Sequence, residues 1–303
     1  MKVLITGSNT GIGAACALQL AKLAAEAGSA ASASTHIFLA CRSAAKAAPV
    51  IEAVKATGAR ASFLELDLAD IAQADGAARA FAREHETLDL LVNNGGVGGQ
   101  RGLTKNGYEM HFGVNHLGHF AFTMPLLRPL ENARGRIVNV SSGNHLKARS
   151  IPWEGLRETT KSYAGLPEYG VSKLCNVLFT AELRRRRSLI TSVSMNPGPI
   201  ASDIWRRMPG PLYAVFKLLR GLETVDVGGA RLVHSTRVPC SGADAPLYFH
   251  LDQPRAANPL ALREDLAAEL WAFSERAVMN VIASSGDAAR RPAHSSTTST
   301  ASV

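Results

Sequence analysis

Short apolar runs alternate with longer segments of helical periodicity through the first 282 residues of the chain. The runs are rich in valine, isoleucine and leucine, as is typical of strands buried on both faces of a parallel sheet. The predicted strands span residues 3–5, 36–40, 62–66, 88–92, 135–140, 190–195 and 246–251, and the predicted helices span residues 11–27, 44–57, 70–86, 107–127, 168–187, 226–235 and 261–282. This alternation predicts an α/β protein in which helices cover both faces of a doubly wound parallel sheet, a three-layer αβα arrangement.

A single domain is predicted for residues 1–283. Two segments inside it and one after it depart from the regular pattern. Residues 28–35 (GSAASAST) are predicted to form a mobile loop. Residues 200–222 hold an amphipathic segment that is predicted to cover a pocket as a lid; a helix on a membrane surface is the alternative, because basic residues are interspersed. Residues 284–303 form a serine-, threonine- and alanine-rich tail that is predicted to be disordered.

A glycine-rich turn joins the first predicted strand to the first helix. Glycines let the backbone approach a pyrophosphate closely, and the N–H groups and dipole at a helix start favour its negative charge. Strand, turn and helix in this order predict a Rossmann-type dinucleotide site; a structural turn without a ligand is the alternative. The predicted contacts here are Gly7, Ser8, Asn9, Thr10, Gly11, Ile12 and Gly13.

The ends of the next three strands carry further candidate cofactor contacts. Arg42 stands where an acidic residue would bind the ribose hydroxyls of NAD, and an arginine accommodates the 2′-phosphate of NADP. We therefore expect NADP(H) rather than NAD(H), with Lys46 as a second cation. Asp67, followed by Leu68, can accept a hydrogen bond from the adenine amino group or cap the next helix. Asn94 opens a glycine-rich strand end, which can pass beneath a flat ligand.

Tyr169 and Lys173 lie one turn apart on the same face of a predicted helix. A nearby ammonium lowers the pKa of a phenol, which can then act as a general acid or base near neutral pH. Ser142 ends the fifth strand, and Asn115 is unusual inside a helix because its side chain competes with the backbone. Taken singly, Tyr169 is a packing residue, Lys173 a solvated charge and Ser142 a cap; together with the glycine turn they predict a catalytic site.

Composition narrows the partners and the compartment. A net charge of +8 suits a phosphorylated cofactor, but the basic residues are too dispersed to predict nucleic-acid binding. The basic run 184–187 closes a predicted helix, where cations suit the dipole. Four cysteines without zinc-type spacing predict reduced thiols in the cytoplasm and no metal site. No stretch reaches about 20 apolar residues, so no transmembrane segment is expected, and a strand beginning at Lys2 argues against a signal peptide.

Over about residues 2–282 the chain resembles the short-chain dehydrogenase/reductase family. The motifs that carry the resemblance are Thr6-Gly7-x-x-x-Gly11-Ile12-Gly13, Asp67-Leu68, Asn93-Asn94-Gly95-Gly96, Asn115, Ser142, Tyr169-x-x-x-Lys173 and Pro197-Gly198. Within the family, the segments 40–42, 115–120, 138–142 and 173–176 are similar to the retinol dehydrogenase and WW-domain oxidoreductase group, which shares features with light-dependent protochlorophyllide reductases.

The resemblance implies a role for each catalytic candidate. Tyr169 would donate a proton to the developing alkoxide, and Ser142 would hydrogen-bond the substrate carbonyl oxygen. Lys173 would lower the pKa of Tyr169 and bind the nicotinamide ribose, while Asn115 would orient a water that links Lys173 to solvent. The residues implied beside the nicotinamide are Pro197, Gly198, Ile200 and Ser202.

The implied activity is NADP(H)-dependent hydride transfer between nicotinamide and a hydrophobic carbonyl or alcohol. The apolar residues expected to line the substrate pocket are Trp153, Leu156, Trp205, Leu212, Tyr213 and Phe216. Gly95 replaces the usual alanine, Ser202 replaces the usual threonine, and no N-terminal anchor is seen, which weakens retinol as the expected substrate.

Several alternatives stay open at this point. A non-catalytic NADP(H)-binding regulatory protein could use the same fold, and a protochlorophyllide-type enzyme would reduce a ring C=C bond. The family resemblance allows a homodimer, a monomer is equally compatible with the sequence, and peripheral membrane contact is open as well.

Overall fold

A computed structural model describes residues 1–201, 221–240 and 245–290, with side chains described as far as residue 285. The eight strands in this part of the chain are β1 (Lys2–Thr6), β2 (His36–Cys41), β3 (Arg60–Glu65), β4 (Leu90–Asn93), β5 (Arg136–Val140), β6 (Thr191–Asn196), β7 (Tyr248–His250) and β8 (Gln253–Pro254). They form one sheet in the order β3-β2-β1-β4-β5-β6-β7-β8. The first seven strands are parallel and β8 pairs antiparallel with β7. The predicted doubly wound Rossmann sheet is confirmed.

Helices flank the sheet on both faces. The α-helices of the described chain are α1 (Gly11–Glu26), α2 (Ser29–Ser34), α3 (Ala44–Lys55), α4 (Ile71–Glu84), α5 (Gly118–Thr123), α6 (Leu127–Ala133), α7 (Leu166–Arg186), α8 (Val225–Arg237) and α9 (Glu264–Arg290). A π-helical turn spans Phe112–Leu117, and 3₁₀ turns span Met124–Leu126, Gly143–Lys147, Glu154–Arg157 and Pro259–Leu262. None of the helices in the described ranges combines the length and the apolar character needed to cross a membrane.

Alternate residues of each strand enter two separate cores, one on each face of the sheet. In β1, Leu4 packs into the core that α4, α5, α7 and α9 cover. Its neighbours Val3 and Ile5 pack into the other core, beneath α1 and α8. Successive side chains of a strand point to opposite faces. The continuous apolar runs of the sequence therefore correspond to strands that supply both cores, as predicted.

Two predicted elements differ from the structure. Residues 28–35 were expected to form a loop, but Ser29–Ser34 is the short helix α2, held by a hydrogen bond from Ser32 Oγ to Thr57 O at 2.9 Å. The long helix predicted from residue 107 instead starts at residue 110, because Glu109 pairs with Leu103 in a β-bridge. Its interior is broken by the π turn and by the 3₁₀ turn at Pro125, since proline lacks the amide hydrogen that an α-helix needs.

The C-terminal boundary also differs from the prediction. Helix α9 continues to Arg290, so the predicted start of a disordered tail at residue 284 was placed too early. The apolar residues of this helix end near Ile282, and the helix extends beyond its amphipathic part. Residues 291–303, and residues 202–220 of the predicted lid, lie outside the described residues.

The basic run at residues 184–187 closes helix α7, as predicted. Arg184 reaches across to the sheet and donates hydrogen bonds to the carbonyls of Ser192, Ala245 and Pro246. Arg185 and Arg186 pair with the buried carboxylate of Glu182. These contacts give the run a structural role within the fold.

Candidate active site

A cleft of about 520 Å³ opens at the carboxyl ends of the parallel strands, where open α/β sheets bind their ligands. The sequence-predicted site residues that line it are Gly7, Asn9, Thr10, Gly11, Ile12, Arg42, Asp67, Leu68, Asn94, Ser142, Tyr169, Lys173, Pro197, Gly198 and Ile200. Three other predicted residues, Ser8, Gly13 and Asn115, do not line the cleft. Ser202 lies outside the described residues.

The glycine turn forms one wall of the cleft. Gly7 and Gly11 have φ angles of +63° and +61°, a region that side chains with a Cβ rarely adopt. A Cβ on Gly13 would lie 2.5 Å from Gly7 O and 2.6 Å from Asn94 Nδ2. Ser8 is fully buried and its hydroxyl donates to Ile5 O at 2.8 Å. Gly13 and Ser8 therefore shape the turn from behind, rather than facing the cleft as predicted.

Arg42 and Asp67 lie at the neighbouring strand ends. Arg42 is exposed and lines the cleft directly after β2, whereas Lys46 does not line it. Asp67 accepts a hydrogen bond from the Ala69 amide at 3.0 Å. The alternative that Asp67 caps the next helix is wrong, because Asp70 is the residue at the N-terminus of α4 that accepts the Gln73 amide.

The hydroxyl of Thr6 organises the centre of the cleft floor. It accepts the amides of Asn94 and Gly95, each at 2.9 Å, and lies 2.8 Å from His119 Nε2. The other ring nitrogen of His119 bonds to the carbonyl of Asn115 at 2.9 Å, so Nδ1 carries the proton and Nε2 accepts from Thr6. Burial lowers the pKa of His119 to about 4, which keeps this ring neutral.

Asn115 supports the cleft from below. It lies in the π turn and is fully buried. Its side chain accepts the Val97 amide at 2.8 Å and donates to Val97 O and Ser172 Oγ, both at 3.0 Å. The structure therefore commits this side chain to holding the loop that carries Gly95, Gly96 and Val97. Gly96 fits because it has no Cβ, which would lie 2.9 Å from Asn115 Oδ1.

Ser142, Tyr169 and Lys173 converge on the opposite wall. Tyr169 lies in the first turn of α7, after Gly165, whose φ of +65° lets the chain enter the helix. The Ser142 hydroxyl lies near enough to Tyr169 to lower the pKa of its phenol, and it accepts the Asn144 amide at 3.3 Å. Lys173 Nζ donates to the carbonyl of Val140 at 2.9 Å. Ser142 thus caps a 3₁₀ turn and lines the same cleft as the tyrosine.

The acidities of Tyr169 and Lys173 differ from the sequence-based prediction. Burial raises the pKa of Tyr169 to about 12, against the smaller opposing effect of the nearby Ser142 hydroxyl. Burial also lowers the pKa of Lys173 to about 7. In the protein by itself burial is the largest cause of both shifts, so the pKa of Tyr169 lies above its ordinary value, and the lowering expected from Lys173 stays a prediction.

Sequence reasoning missed several residues that line the cleft. Asn196 and His250, which end β6 and β7, line the cleft and hydrogen-bond to each other at 2.8 Å. Their position at the carboxyl ends of parallel strands was a usable signal. Further lining residues that the prediction missed include Val97, Gln100, Met110, Val114, Asn144 and Lys147. Conversely, Trp153 packs against Phe273 and Leu156 is buried in the core. Neither residue lines the cleft, so their predicted place in the substrate pocket is wrong.

Comparisons with known proteins agree with the fold and the motifs. The family model for short chain dehydrogenases matches residues 1–154. Human retinol dehydrogenase 11 is 40% identical over 280 residues, which cover 90% of this chain and 84% of that protein. Human WW domain-containing oxidoreductase is 31% identical over 296 residues, covering 93% of this chain and 69% of that protein.

Solved structures show the same relationship. The crystal structure of an uncharacterized protein from Mycobacterium paratuberculosis aligns with a TM-score of 0.68 at 28% identity, covering 92% of this chain and 93% of that one. The sheet order, the motif residues along the cleft and these relatives lead to one conclusion. The chain belongs to the short-chain dehydrogenase/reductase family of nicotinamide-dependent oxidoreductases, in its retinol dehydrogenase-like group.

Proposed function

We propose that this protein is an NADP(H)-dependent oxidoreductase that interconverts a hydrophobic carbonyl compound and its alcohol, with Tyr169 as the general acid or base. One observation carries the proposal: Ser142, Tyr169 and Lys173 line one wall of a cleft whose other wall is the glycine turn. A hydroxyl pair beside a dinucleotide turn is suited to proton transfer at a carbonyl oxygen.

The residues of the cleft fit a nicotinamide dinucleotide. The first turn of α1 contains no acidic side chain, and the first N–H groups of a helix lack intrahelical partners, so this end suits a pyrophosphate. Arg42, exposed at the adenosine end, supports binding of a 2′-phosphate. Lys173 adds a basic group to the opposite wall. NADP(H), when bound, would supply or accept the hydride.

Side chains of the protein itself would transfer the proton to the substrate oxygen and stabilise the resulting charges. With a pKa near 12 the Tyr169 phenol stays protonated at neutral pH, so it can donate to an oxygen that becomes negatively charged. The Ser142 hydroxyl would hydrogen-bond to that oxygen as the charge develops. Because the pKa of Lys173 is about 7, a larger fraction of its amine is protonated as the pH falls. This positive charge would stabilise the phenolate that forms when Tyr169 donates its proton.

The substrate class follows from the lining and from the relatives. Val97, Met110 and Val114 supply an apolar surface on one side of the cleft, while Asn144 and His250 supply polar groups. Such a mixture suits an apolar molecule with one polar end. One relative is named retinol dehydrogenase 11, and another is named an oxidoreductase. We therefore include a retinoid alcohol–aldehyde pair in the proposed class.

Cofactor binding tests the first half of the proposal. Fluorescence titration of the purified protein should show tighter binding of NADPH than of NADH, and Arg42→Asp should remove this preference. Arg83→Asp, an exposed arginine on α4 outside the cleft, is the matched control and should leave it unchanged. Equal affinities of the parent protein for the two nucleotides would contradict the NADP(H) assignment.

Turnover tests the second half. A panel of aldehydes and ketones, with retinal among them, should include substrates that drive NADPH oxidation, measured at 340 nm. NADPH binding without oxidation of any member would favour the non-catalytic regulatory alternative. Turnover that occurs only with a pigment C=C bond, and only in light, would favour the protochlorophyllide-type alternative.

A further inference from the structure

His145 lies three residues after Ser142, and the fold leaves its ring fully buried. Its Nδ1 lies 2.7 Å from the carbonyl oxygen of Ser142, and its Nε2 accepts the backbone amide of Asn258 at 3.2 Å. A carbonyl only accepts and an amide N–H only donates. The ring is therefore neutral, with its single proton on Nδ1 pointing at Ser142.

Asn258 fastens the same turn from a distant part of the chain. Its side-chain amide donates to the carbonyls of His145 and Ala148 at 2.9 and 2.8 Å. Its side-chain oxygen accepts the Leu260 amide at 2.9 Å. Asn258 is 4% exposed, so water competes little for these bonds and the buried network is worth more than it would be at the surface. The segment just before α9 thereby holds the turn that follows β5.

The held turn also carries the Asn144 amide, which donates to the Ser142 hydroxyl at 3.3 Å. Both the carbonyl and the hydroxyl of Ser142 are thus bound to one turn, and the turn is bound to Asn258. A shift of the turn would move the Ser142 hydroxyl relative to Tyr169. Catalytic hydroxyls tolerate little displacement, since misplacement by an ångström costs about a hundredfold in rate.

We propose that His145 and Asn258 are positioning residues, which set the Ser142 hydroxyl at its distance from Tyr169 by clamping the turn between them. Neither side chain lines the cleft, so they act through Ser142 and do not touch the substrate. The proposal rests on the function proposed above for Ser142. It assigns a role to two polar residues that motif matching does not single out.

Two substitutions of His145 separate positioning from packing. In His145→Asn the amide nitrogen takes approximately the position of Nδ1 and still donates to the Ser142 carbonyl. In His145→Gln the longer amide takes approximately the position of Nε2, so the donor toward the Ser142 carbonyl is lost. Both lose the ring that packs on Tyr248. We expect His145→Gln to lower kcat by about tenfold or more with little change in the KM or in the Kd for NADPH. His145→Asn should keep most of the parental kcat.

A stability control and a positional readout complete the test. Val278→Ala, in the buried face of α9, should lower the Tm without changing kcat, because Val278 does not line the cleft. The NMR signal of the Asn144 amide reports on the Ser142 hydroxyl without any turnover. Because both His145 variants lose the neighbouring ring, they are compared with each other: the signal should lie further from the parental position in His145→Gln than in His145→Asn, and it should also move in Asn258→Ala.

The outcomes distinguish this inference from the function on which it rests. A parental kcat in His145→Gln, with an Asn144 signal that coincides with the one in His145→Asn, would overturn the positioning role, even in an active enzyme. The same holds if His145→Asn and His145→Gln lose activity equally. A parent protein without turnover, whose Asn144 signal nevertheless shifts as expected, would support the clamp and refute only the proposed reaction.

Discussion

Lys173 Nζ lies 5.6 Å from the centre of the Tyr169 ring, and both side chains are almost fully buried on the same wall of the cleft. Burial disfavours the charged form of each group, so the pKa of the phenol is raised and that of the amine is lowered. The protein by itself thus holds a protonated phenol beside an amine that titrates near neutral pH. This arrangement favours proton donation by Tyr169 over proton removal.

Removal of the Tyr169 hydroxyl should abolish most of the activity. Acid catalysis by one positioned group is typically worth about 10²–10⁴-fold, so we expect Tyr169→Phe to lower kcat by that factor. Binding of NADPH, measured by fluorescence titration, should be retained. Tyr163→Phe is the matched control, because Tyr163 is 70% exposed and does not line the cleft. Activity of Tyr169→Phe within tenfold of the control would contradict the assignment.

Lys173 should make the stability of the protein depend on pH in a defined direction. Its pKa is lowered to about 7 on folding, while in the unfolded chain it stays at about 10.4. Between these values the unfolded state binds more protons, so the free energy of unfolding contributed by Lys173 rises with pH. The destabilisation caused by desolvating the Lys173 ammonium is fully present below about pH 7 and is absent above about pH 10.

Comparison with Lys173→Met isolates this contribution. The difference in unfolding free energy, parent minus variant, should increase by about 1 kcal/mol per pH unit between about pH 7 and pH 10. Denaturant titrations at several pH values measure it, and the titration of all other groups cancels in the difference. A difference that stays constant across this range would show that the amine is not desolvated in the folded protein.

Gly13→Ala should disturb the glycine turn. The added Cβ would lie 2.5 Å from Gly7 O and 2.6 Å from Asn94 Nδ2, so the backbone must shift. We expect a loss of about 2 kcal/mol in stability and weaker NADPH binding. Gly76→Ala in α4 is the control: its Cβ meets nothing within 4 Å, and alanine is the better helix former by up to about 1 kcal/mol. Equal affinity for NADPH in the two variants would argue against the turn as the dinucleotide site.

Thr6→Val should destabilise the floor of the cleft. The substitution keeps the shape of the side chain but leaves the Gly95 amide without its acceptor and His119 Nε2 without its donor, while the Asn94 amide keeps Val92 O at 3.0 Å. Each buried donor left unpaired costs about 1–3 kcal/mol, so we expect a loss of about 2 kcal/mol or more. Thr6→Ser retains the hydroxyl and should lose less. Equal unfolding free energies of the two variants in urea would remove the proposed role of the hydroxyl.

Much of the fold could be predicted from the sequence because the signal is local. The β1 run places Leu4 in one core and Val3 and Ile5 in the other, and such runs predict strands buried on both faces. The glycine turn between strand and helix predicts one wall of the cleft in which we propose that the dinucleotide binds. The four-residue spacing of Tyr169 and Lys173 puts them on one helix face. The carboxyl ends of parallel strands then bring most of the predicted residues to one cleft.

Some local signals were nevertheless insufficient. The serine- and alanine-rich segment forms helix α2 because Ser32 is buried against Thr57, a contact between residues far apart in the chain. The π turn at Asn115 arises where its side chain binds Val97 and Ser172. Periodicity carries no information about such partners.

The sequence by itself determined which elements form, the order in which they alternate and which residues meet at the strand ends. Only the tertiary structure decided which side chains face the cleft and how acidic they are. Asp70 caps α4 while Asp67 lines the cleft, and His145 is paired with Asn258 across more than a hundred residues. The direction of the pKa shifts at Tyr169 and Lys173 depends on desolvation, and desolvation is produced by residues from distant segments that pack around them.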